Sequence, residues 1–379
     1  MKRRAYGLLV GVALLMGTLA VVASFRLGEP LRDPDGFLGP SWLRLPLMVA
    51  GAFVVDVLPR SLWRSRRAWR AFPLHVRAII REHWTRERIA LVTIGLASFF
   101  VTYVSYRNLK NFLPFLAGDP QDRILHQIDQ VLAFGNEPAV LLHIALGEGV
   151  TAHVLAFVYL MFLPLSPASL IVWLVWSRNI SYGYWYATAH CLTWALGTLS
   201  YYLVPSLGPN FAYTWLYVDL DQTGVKSLQD ALYYGRRDVL YNPFADSIQS
   251  VAGFASLHVG IILTLALITQ YTVRHALIRW AMWGFFVLTV LSTLYFGWHY
   301  IADDLAGAAI SIIAVWIGGL ATGQKFDRRG RSSHPTTSTS RVPVPAGAGS
   351  GPPAASGSDP QDGGDAAPRD TTGPGRPGP

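Results

Sequence analysis

The sequence has almost no cysteine and little charge. Cys191 is its one cysteine among 379 residues, which excludes an intrachain disulfide and a cysteine-rich metal site. Charged residues make up 14% of the chain and hydrophobic residues 51%, whereas an ordinary water-soluble domain has about 25% charged residues. This composition argues against a soluble globular protein and indicates an integral membrane protein.

Apolar runs long enough to cross a bilayer recur along the chain, since each crossing needs about 20 residues. We predict an all-α membrane protein with eight transmembrane helices, at residues 6–25, 42–59, 89–106, 150–176, 187–205, 254–273, 280–297 and 302–322. The first run resembles a signal peptide, but its length and the lack of a small-x-small cleavage site before Arg26 favour a retained anchor. Pro164 and Pro167 predict a kink in the fourth run.

The distribution of arginine predicts the orientation of these helices. Residues 60–88 contain nine arginines, and the positive-inside rule places such a loop in the cytoplasm. Counting crossings from this loop places both termini in the cytoplasm as well, in a multi-pass protein of the cell membrane. The formal net charge of +8 indicates contact with anionic lipid headgroups rather than with nucleic acid.

Composition divides the chain into four parts. These are an N-terminal transmembrane hairpin (1–59), a basic cytoplasmic segment (60–88), a six-span core (89–323) and a cytoplasmic tail (324–379). The tail is rich in Pro, Gly, Ser and Thr and has almost no large apolar residue, so we expect it to be disordered. Tryptophans and arginines mix between Leu62 and Arg70, which fits either a helix lying on the membrane surface or a solvated basic loop.

Two long loops lie on the predicted outer side of the core. The first places Ile124, Ile128, Val131 and Leu132 at helical spacing, which predicts a short amphipathic helix over residues 120–134. The second, residues 206–253, is rich in tyrosine and tryptophan. These residues are typical of the headgroup zone, and a lid over a lipid-binding cleft is the alternative.

Two histidines and one aspartate stand at the ends of apolar runs on the same predicted membrane face. His258 opens one run, and His299 and Asp303 lie where the last two runs meet. Asp303 is four residues from His299, about 40° away around a helix, so its carboxylate can orient the imidazole. Asp304 lies about 140° away and is expected to face elsewhere. An imidazole oriented by a carboxylate, with a second imidazole as acid, suits nucleophilic phosphoryl transfer.

The other histidines of the core carry no such pattern. A lone histidine in an apolar run is expected to be a hydrogen-bonded structural side chain, as we predict for His143, His153 and His190. A His-x3-Asp pair can bind a metal ion, but the sequence shows no third or fourth ligand. We therefore predict neither a metal nor another cofactor.

The residues around these side chains resemble two signatures of the type 2 phosphatidic acid phosphatase superfamily. Ala255-Ser256-Leu257-His258 is similar to the second signature, Pro-Ser-Gly-His. Ser292-Thr293, His299 and Asp303 follow the spacing of the third, Ser-Arg-x5-His-x3-Asp. The Ser-Leu-His form, the missing arginine and the His-Tyr-x-x-Asp ending look more like the inositol phosphorylceramide synthase branch, which transfers a phospho-headgroup between lipids. The resemblance covers roughly residues 89–322.

The resemblance implies a metal-independent mechanism with a phosphohistidine in the 89–323 core. His299 would attack phosphorus, Asp303 would hold the ring, and His258 would protonate the leaving oxygen and then activate an acceptor hydroxyl or water. Ser256 and backbone N–H groups at a helix start would bind phosphate oxygens.

The first signature of the superfamily, Lys-x6-Arg-Pro, is absent. Residues 201–210 occupy its expected place without a basic residue, and Thr293 replaces the arginine of the third signature. Other cations must then meet the charge of phosphate. The candidates for substrate binding are Arg107, Lys110, Arg236 and Arg237, and the alternative for each is a solvated or headgroup-binding charge.

We therefore expect an inositolphosphotransferase-like membrane enzyme that acts on a lipid phosphate or phosphodiester at an outward-facing site. Its partners would be a phosphorylated membrane lipid and a lipid or sugar acceptor. One alternative is a lipid phosphate or polyprenyl pyrophosphate phosphatase, which uses water as the acceptor. The other is a non-catalytic scaffold or transporter on the same fold.

Overall fold

The computed structural model describes residues 4–33, 41–66, 68–177, 179–241, 251 and 253–324. Every regular element within these ranges is a helix, which confirms the predicted all-α fold class. The α-helices are α1 (Arg4–Leu27), α2 (Ser41–Ser65), α3 (Phe72–His83), α4 (Arg86–Leu116), α5 (Asp122–Leu132), α6 (Pro138–Leu146), α7 (Val150–Leu160), α8 (Phe162–Ile171), α9 (Ile180–Leu203), α10 (Pro209–Ala212), α11 (Gly224–Tyr241), α12 (Leu257–Thr272), α13 (Ala276–Tyr295) and α14 (Ile301–Ala321). Short 3₁₀ helices cover Trp69–Ala71 and Thr214–Tyr217, and a π-helical turn covers Val172–Trp176.

Helices that are long and apolar enough to cross a membrane number six in the described part of the chain, rather than the predicted eight. They are Tyr6–Leu27, Pro46–Ser65, Arg86–Leu116, Val150–Trp176, Ala276–Tyr295 and Ile301–Ala321. The other two predicted runs correspond to α9 and α12. α12 has 16 residues and is therefore about 24 Å long, shorter than the hydrocarbon core of about 30 Å.

The span Val150–Trp176 is interrupted, as its prolines predict. α7 ends at Leu160, and α8 begins at Phe162 with Pro164 in its first turn. Proline is tolerated there because the first N–H groups of a helix have no intrahelical partner. The break places the end of α7 and the start of α8 side by side near the middle of the span.

α9 lies at the centre of the bundle, in contact with α1, α4, α12 and α14. Its side chains are buried on nearly every face, so it does not need an apolar surface for lipid. It can therefore carry hydroxyl groups that bond to its neighbours. Thr193 contacts Thr264 of α12 at 3.0 Å, and Thr264 contacts Ser311 of α14 at 3.0 Å. Such bonds hold helices together inside membranes.

The basic segment is mostly helical and partly buried. α2 continues through Ser65, and α3 follows after a 3₁₀ turn. Arg88, which the sequence places among the loop charges, is only 2% exposed within α4. Its guanidinium donates to the carbonyls of Leu174, Val175 and Ser177 at 2.7–3.1 Å. Carbonyls at a helix end lack intrahelical partners, which explains why an arginine is buried there.

α5 is the amphipathic helix predicted for the first long loop. Its apolar side chains point outward, since Ile124 is 54% and Val131 77% exposed, while Asp122 and Asp129 are buried. The second long loop forms α10, a 3₁₀ helix and α11. Its stretch 242–250 lies outside the described residues, and so does the predicted disordered tail from residue 325 onward.

Candidate active site

The structure brings the three candidate catalytic side chains together at one end of the bundle, called the site end below. α4, α9 and α13 end there, and α12 and α14 begin there. His258 lies in the first turn of α12, and His299 lies in the turn between α13 and α14. Their ring centroids are 6.2 Å apart, so both rings can reach a single phosphate group placed between them.

His299 is held in a tight turn. Gly297 adopts φ +63°, a left-handed conformation that glycine tolerates best, and Trp298 N donates to Thr293 O at 2.9 Å. The ring is 5% exposed. Burial lowers the pKa of His299 to about 4, with Asp304 raising the pKa and Lys110 lowering it further. A neutral imidazole keeps a lone pair on one nitrogen, as a nucleophile must.

Asp303 lies beside His299 and also caps a helix. Its Oδ2 is 3.4 Å from Nδ1 of His299, and the same oxygen accepts a hydrogen bond from Tyr300 N at 2.9 Å. The backbone carbonyl of Asp303 accepts from Ser256 N at 2.9 Å. The predicted carboxylate–imidazole pair is therefore a close contact, anchored to the starts of both α14 and α12.

Asp304 belongs to the same buried cluster. Its Oδ2 accepts a hydrogen bond from Thr293 Oγ1 at 2.9 Å. It also acts electrostatically on His299 and bonds to the hydroxyl of Ser256. The expectation that Asp304 lies apart from the site is therefore wrong. The threonine that replaces the expected arginine is the residue that binds this second carboxylate.

Aromatic side chains hold the ring of His258. It stacks on Tyr159 with centroids 4.3 Å apart, and Phe162 lies 4.2 Å away. Tyr159 in turn stacks on Trp298 at 5.1 Å with nearly parallel planes. The break between α7 and α8 is what places Tyr159 and Phe162 here. The sequence gives no signal for either residue, since both lie in an apolar run, whereas Trp298 is adjacent to His299.

Ser256 is the N-cap of α12. It is fully buried, and its Oγ accepts a hydrogen bond from Val259 N at 3.4 Å. The N-terminus of α12 therefore lies beside both histidines, where its backbone N–H groups favour an anion. The predicted role of Ser256 in binding phosphate remains a prediction, since its hydroxyl already bonds to Val259 N and to Asp304.

The segment 205–210 occupies the expected place of the absent first signature and braces both histidine loops. Ser206 accepts hydrogen bonds from Gly253 N through its carbonyl at 2.9 Å and from Phe254 N through its hydroxyl at 2.8 Å. Asn210 N donates to Gly297 O at 2.7 Å. Gly208 has φ +94°, and a Cβ there would collide with the carbonyl of Trp298. The segment thus supports the backbone around both histidines and contributes no charged side chain.

The four candidate cations have different surroundings. Lys110 is the one whose charge acts on His299, and its Nζ lies 3.3 Å from the hydroxyl of Tyr106. Arg107 stands one turn earlier on α4 and has a buried Nε without a hydrogen-bond partner in the described chain. Arg236 lines a cavity of about 300 Å³ next to Ser206, and burial lowers its pKa while Asp122 raises it. Arg237 is exposed.

The prediction of a hydrogen-bonded structural side chain is confirmed for His143 and His190 but not for His153. His143 Nε2 lies 2.9 Å from Tyr295 O, and His190 Nε2 lies 3.3 Å from Ser166 Oγ. His153 is exposed and lies 3.7 Å from Asp221. Among the described residues, no group of three or more His, Cys, Asp or Glu side chains is arranged to hold a metal ion.

The chain is similar in sequence to one protein family and to a curated phosphatase. Residues 123–317, slightly more than half of the chain, match the model of the PAP2 superfamily. A lipid A 4'-phosphatase of Porphyromonas gingivalis is 34% identical over 61 residues, which cover 16% of this chain and 26% of that relative. The chain thus spans about a quarter of the length of this curated relative. No solved structure matches the chain.

Proposed function

The chain belongs to the PAP2 superfamily, and on that premise we propose that it is a membrane phosphatase that releases phosphate from a phosphorylated lipid through a phosphohistidine at His299. The observation that carries this proposal is the convergence of two imidazoles and a carboxylate. The ring centroids of His258 and His299 are 6.2 Å apart, and Asp303 lies 3.4 Å from the second ring. The relative's name, a lipid phosphatase, supports the substrate class.

The geometry supports a two-step reaction. Nδ1 of His299 faces Asp303, so Nε2 would attack phosphorus, and the bond from phosphorus to the lipid oxygen would break. His258 would give its proton to that oxygen. In the second step His258 would take a proton from water, whose oxygen would attack phosphorus and break the P–N bond, releasing inorganic phosphate.

The charge of the phosphate would be met by Lys110 and by the N-terminus of α12. The first signature of the family, which would supply basic residues, is absent. Lys110 is the candidate in its place because its charge acts on His299. Backbone N–H groups at a helix start stabilise an anion without a net charge of their own. We place the site on the extracytoplasmic face of the cell membrane, because the arginine-rich segment lies toward the opposite end of the helices.

A second candidate is transfer of the phospho-headgroup to a lipid or sugar hydroxyl, as in inositolphosphotransferases. The observations that favour it are the Ser-Leu-His form around His258 and Thr293 in place of arginine. Both reactions share the phosphohistidine and differ only in the acceptor. Purified protein given a labelled phosphorylated lipid should release inorganic phosphate without an acceptor if it is a phosphatase. A headgroup-modified lipid formed only with an added acceptor would identify a transferase.

The test of the phosphohistidine is His299→Ala, with His153→Ala as a matched control at an exposed histidine. Loss of a catalytic nucleophile costs several orders of magnitude in rate, so His299→Ala should lose essentially all turnover, whereas the control should keep it. An alkali-quenched reaction should contain labelled phosphohistidine only in proteins that retain His299. Equal activity of His299→Ala and the native protein would contradict the proposal and favour a different role for the fold.

A further inference from the structure

α5 turns its carboxylates inward and its apolar side chains outward. Asp122 and Asp129 are seven residues apart, which puts them on the same face two turns apart. They are 6% and 3% exposed, although α5 lies outside the membrane-spanning helices. A surface helix normally keeps such charges in water. Their burial therefore calls for specific partners.

Asp122 joins two segments of the site. Its carboxylate accepts hydrogen bonds from Leu207 N at 3.0 Å and from Gly208 N at 2.9 Å. Oδ1 also accepts from the hydroxyl of Tyr300 at 3.0 Å. The side chain of Asp122 thus links the segment 205–210 to Tyr300, the residue that follows His299.

Asp129 caps the helix that begins after the same turn. Its two oxygens accept from Ile301 N at 2.9 and 3.2 Å. Ile301 is the first residue of α14, so its N–H has no partner within that helix. Asp122 and Asp129 therefore hold Tyr300 and Ile301, two of the three residues between His299 and Asp303.

The packing between α5 and this turn is close. A cavity of about 10 Å³, room for about one water molecule, separates His126, Asp129 and Glu137 from His299 and Tyr300. The hydrogen bonds of both aspartates join them to backbone N–H groups and to the Tyr300 hydroxyl, and so to the turn that carries His299.

We propose that α5 is a positioning helix, in which Asp122 and Asp129 fix Tyr300 and Ile301 and thereby set the position of the His299 ring relative to Asp303 and His258. This inference rests on the proposed role of His299 as nucleophile. A misplacement of about 1 Å at a reacting group can cost about a hundredfold in rate. The aspartates would thus affect kcat and leave substrate binding largely intact.

The first experiment compares Asp122→Ala and Asp129→Ala with their asparagine counterparts. Each alanine variant should lower kcat about ten- to a hundredfold with KM nearly unchanged. Asparagine keeps one acceptor oxygen and should restore part of the loss. Asp230→Asn, an exposed carboxylate on α11, is the control and should leave kcat and KM unchanged.

The second experiment is a double-mutant cycle between Asp122→Ala and Tyr300→Phe, each of which removes one end of the hydrogen bond between the two side chains. Because the two side chains share a hydrogen bond, their effects on kcat should not multiply. Thermal unfolding is followed for each variant, so that a loss of folded protein is separated from a loss of turnover. Wild-type kcat in the folded fraction of every variant would overturn the positioning role.

The failures of the two proposals are distinguishable. If His299→Ala loses turnover while the alanine variants at residues 122 and 129 keep wild-type kcat, only the positioning inference fails. If His299→Ala matches the native protein, the proposed function fails first. A KM that rises with unchanged kcat in the aspartate variants would also contradict positioning, since it would indicate a role in substrate binding.

Discussion

Both ends of the helical bundle bury charged groups, but they satisfy them differently. At the end opposite the site, Asp56 is fully buried; its Oδ1 forms an ion pair with Arg60 at 2.9 Å without a hydrogen bond, and its Oδ2 accepts from Trp84 Nε1 at 2.9 Å. Arg88 there donates through both terminal nitrogens to helix-end carbonyls, and its Nε alone has no partner in the described chain.

At the site end, three side chains of the candidate site each leave one polar atom without a hydrogen bond. Nδ1 of His299, Oδ1 of Asp303 and Oδ1 of Asp304 are buried without a hydrogen-bond partner among the described residues. Buried polar atoms without partners cost stability, and proteins retain them where a ligand completes the set. Substitutions at the site end should therefore cost activity, and substitutions at the opposite end should cost stability.

After His299→Ala, the largest effect is expected for His258→Phe. Phenylalanine keeps an aromatic ring against Tyr159 and Phe162 and removes both nitrogens. General acid–base catalysis contributes about 10²–10⁴-fold, so kcat for a lipid phosphomonoester should fall by that factor, while the melting temperature in detergent stays close to that of the native protein. A kcat within tenfold of the native value would contradict the expectation that His258 is needed for activity rather than for stability.

Lys110→Met should have the next largest effect. A hydrogen bond to a charged group contributes roughly 1.5–3 kcal/mol, so kcat/KM should fall about ten- to a hundredfold if Lys110 binds the phosphate. Arg237→Met is the matched control, because Arg237 is exposed on α11 and should leave kcat/KM unchanged. Equal losses in the two variants would mean that general surface charge, not a site cation, attracts the substrate.

Arg88→Leu tests the opposite end. Leucine leaves three helix-end carbonyls without their donor, and each unsatisfied buried group costs about 1–3 kcal/mol, so the melting temperature should drop clearly. The protein that remains folded should keep its native kcat. Arg86→Leu, two residues earlier and exposed, should change neither quantity. A loss of kcat in folded Arg88→Leu would show that the two ends are coupled.

The sequence is sufficient to predict that His258, His299 and Asp303 meet. Each stands at the end of an apolar run, and counting crossings puts all three ends on one side of the bundle. The helices themselves follow from the same runs. These inferences need only local spacing and the thickness of a bilayer.

Other parts of the site depend on packing that local spacing does not encode. The sequence gives equal weight to Tyr159 and to the lipid-facing residues around it, because an apolar run shows no distinct face for a buried site. Asp122 and Asp129 look like the solvated face of an amphipathic helix until the turn at Tyr300 is placed against them. Arg88 looks like a loop charge until the end of the span Val150–Trp176 supplies carbonyls for it.

The smallest effect concerns the pH dependence of stability, which tests whether Asp129 at the site end is buried without full compensation of its charge. Burial raises the pKa of Asp129 to about 7, with the N–H of Ile301 lowering it and Asp303 raising it. The folded chain therefore binds this proton more tightly than the unfolded chain, and its contribution to stability is lost as pH rises from about 4 to 7. Asp129→Asn cannot titrate, so the melting temperature of the native protein should fall relative to this variant across that window and level off above it.

Asp230→Asn is the control: the difference in melting temperature between this variant and the native protein should not change with pH. A pH-independent difference for Asp129→Asn would mean that burial does not raise the pKa of this carboxylate.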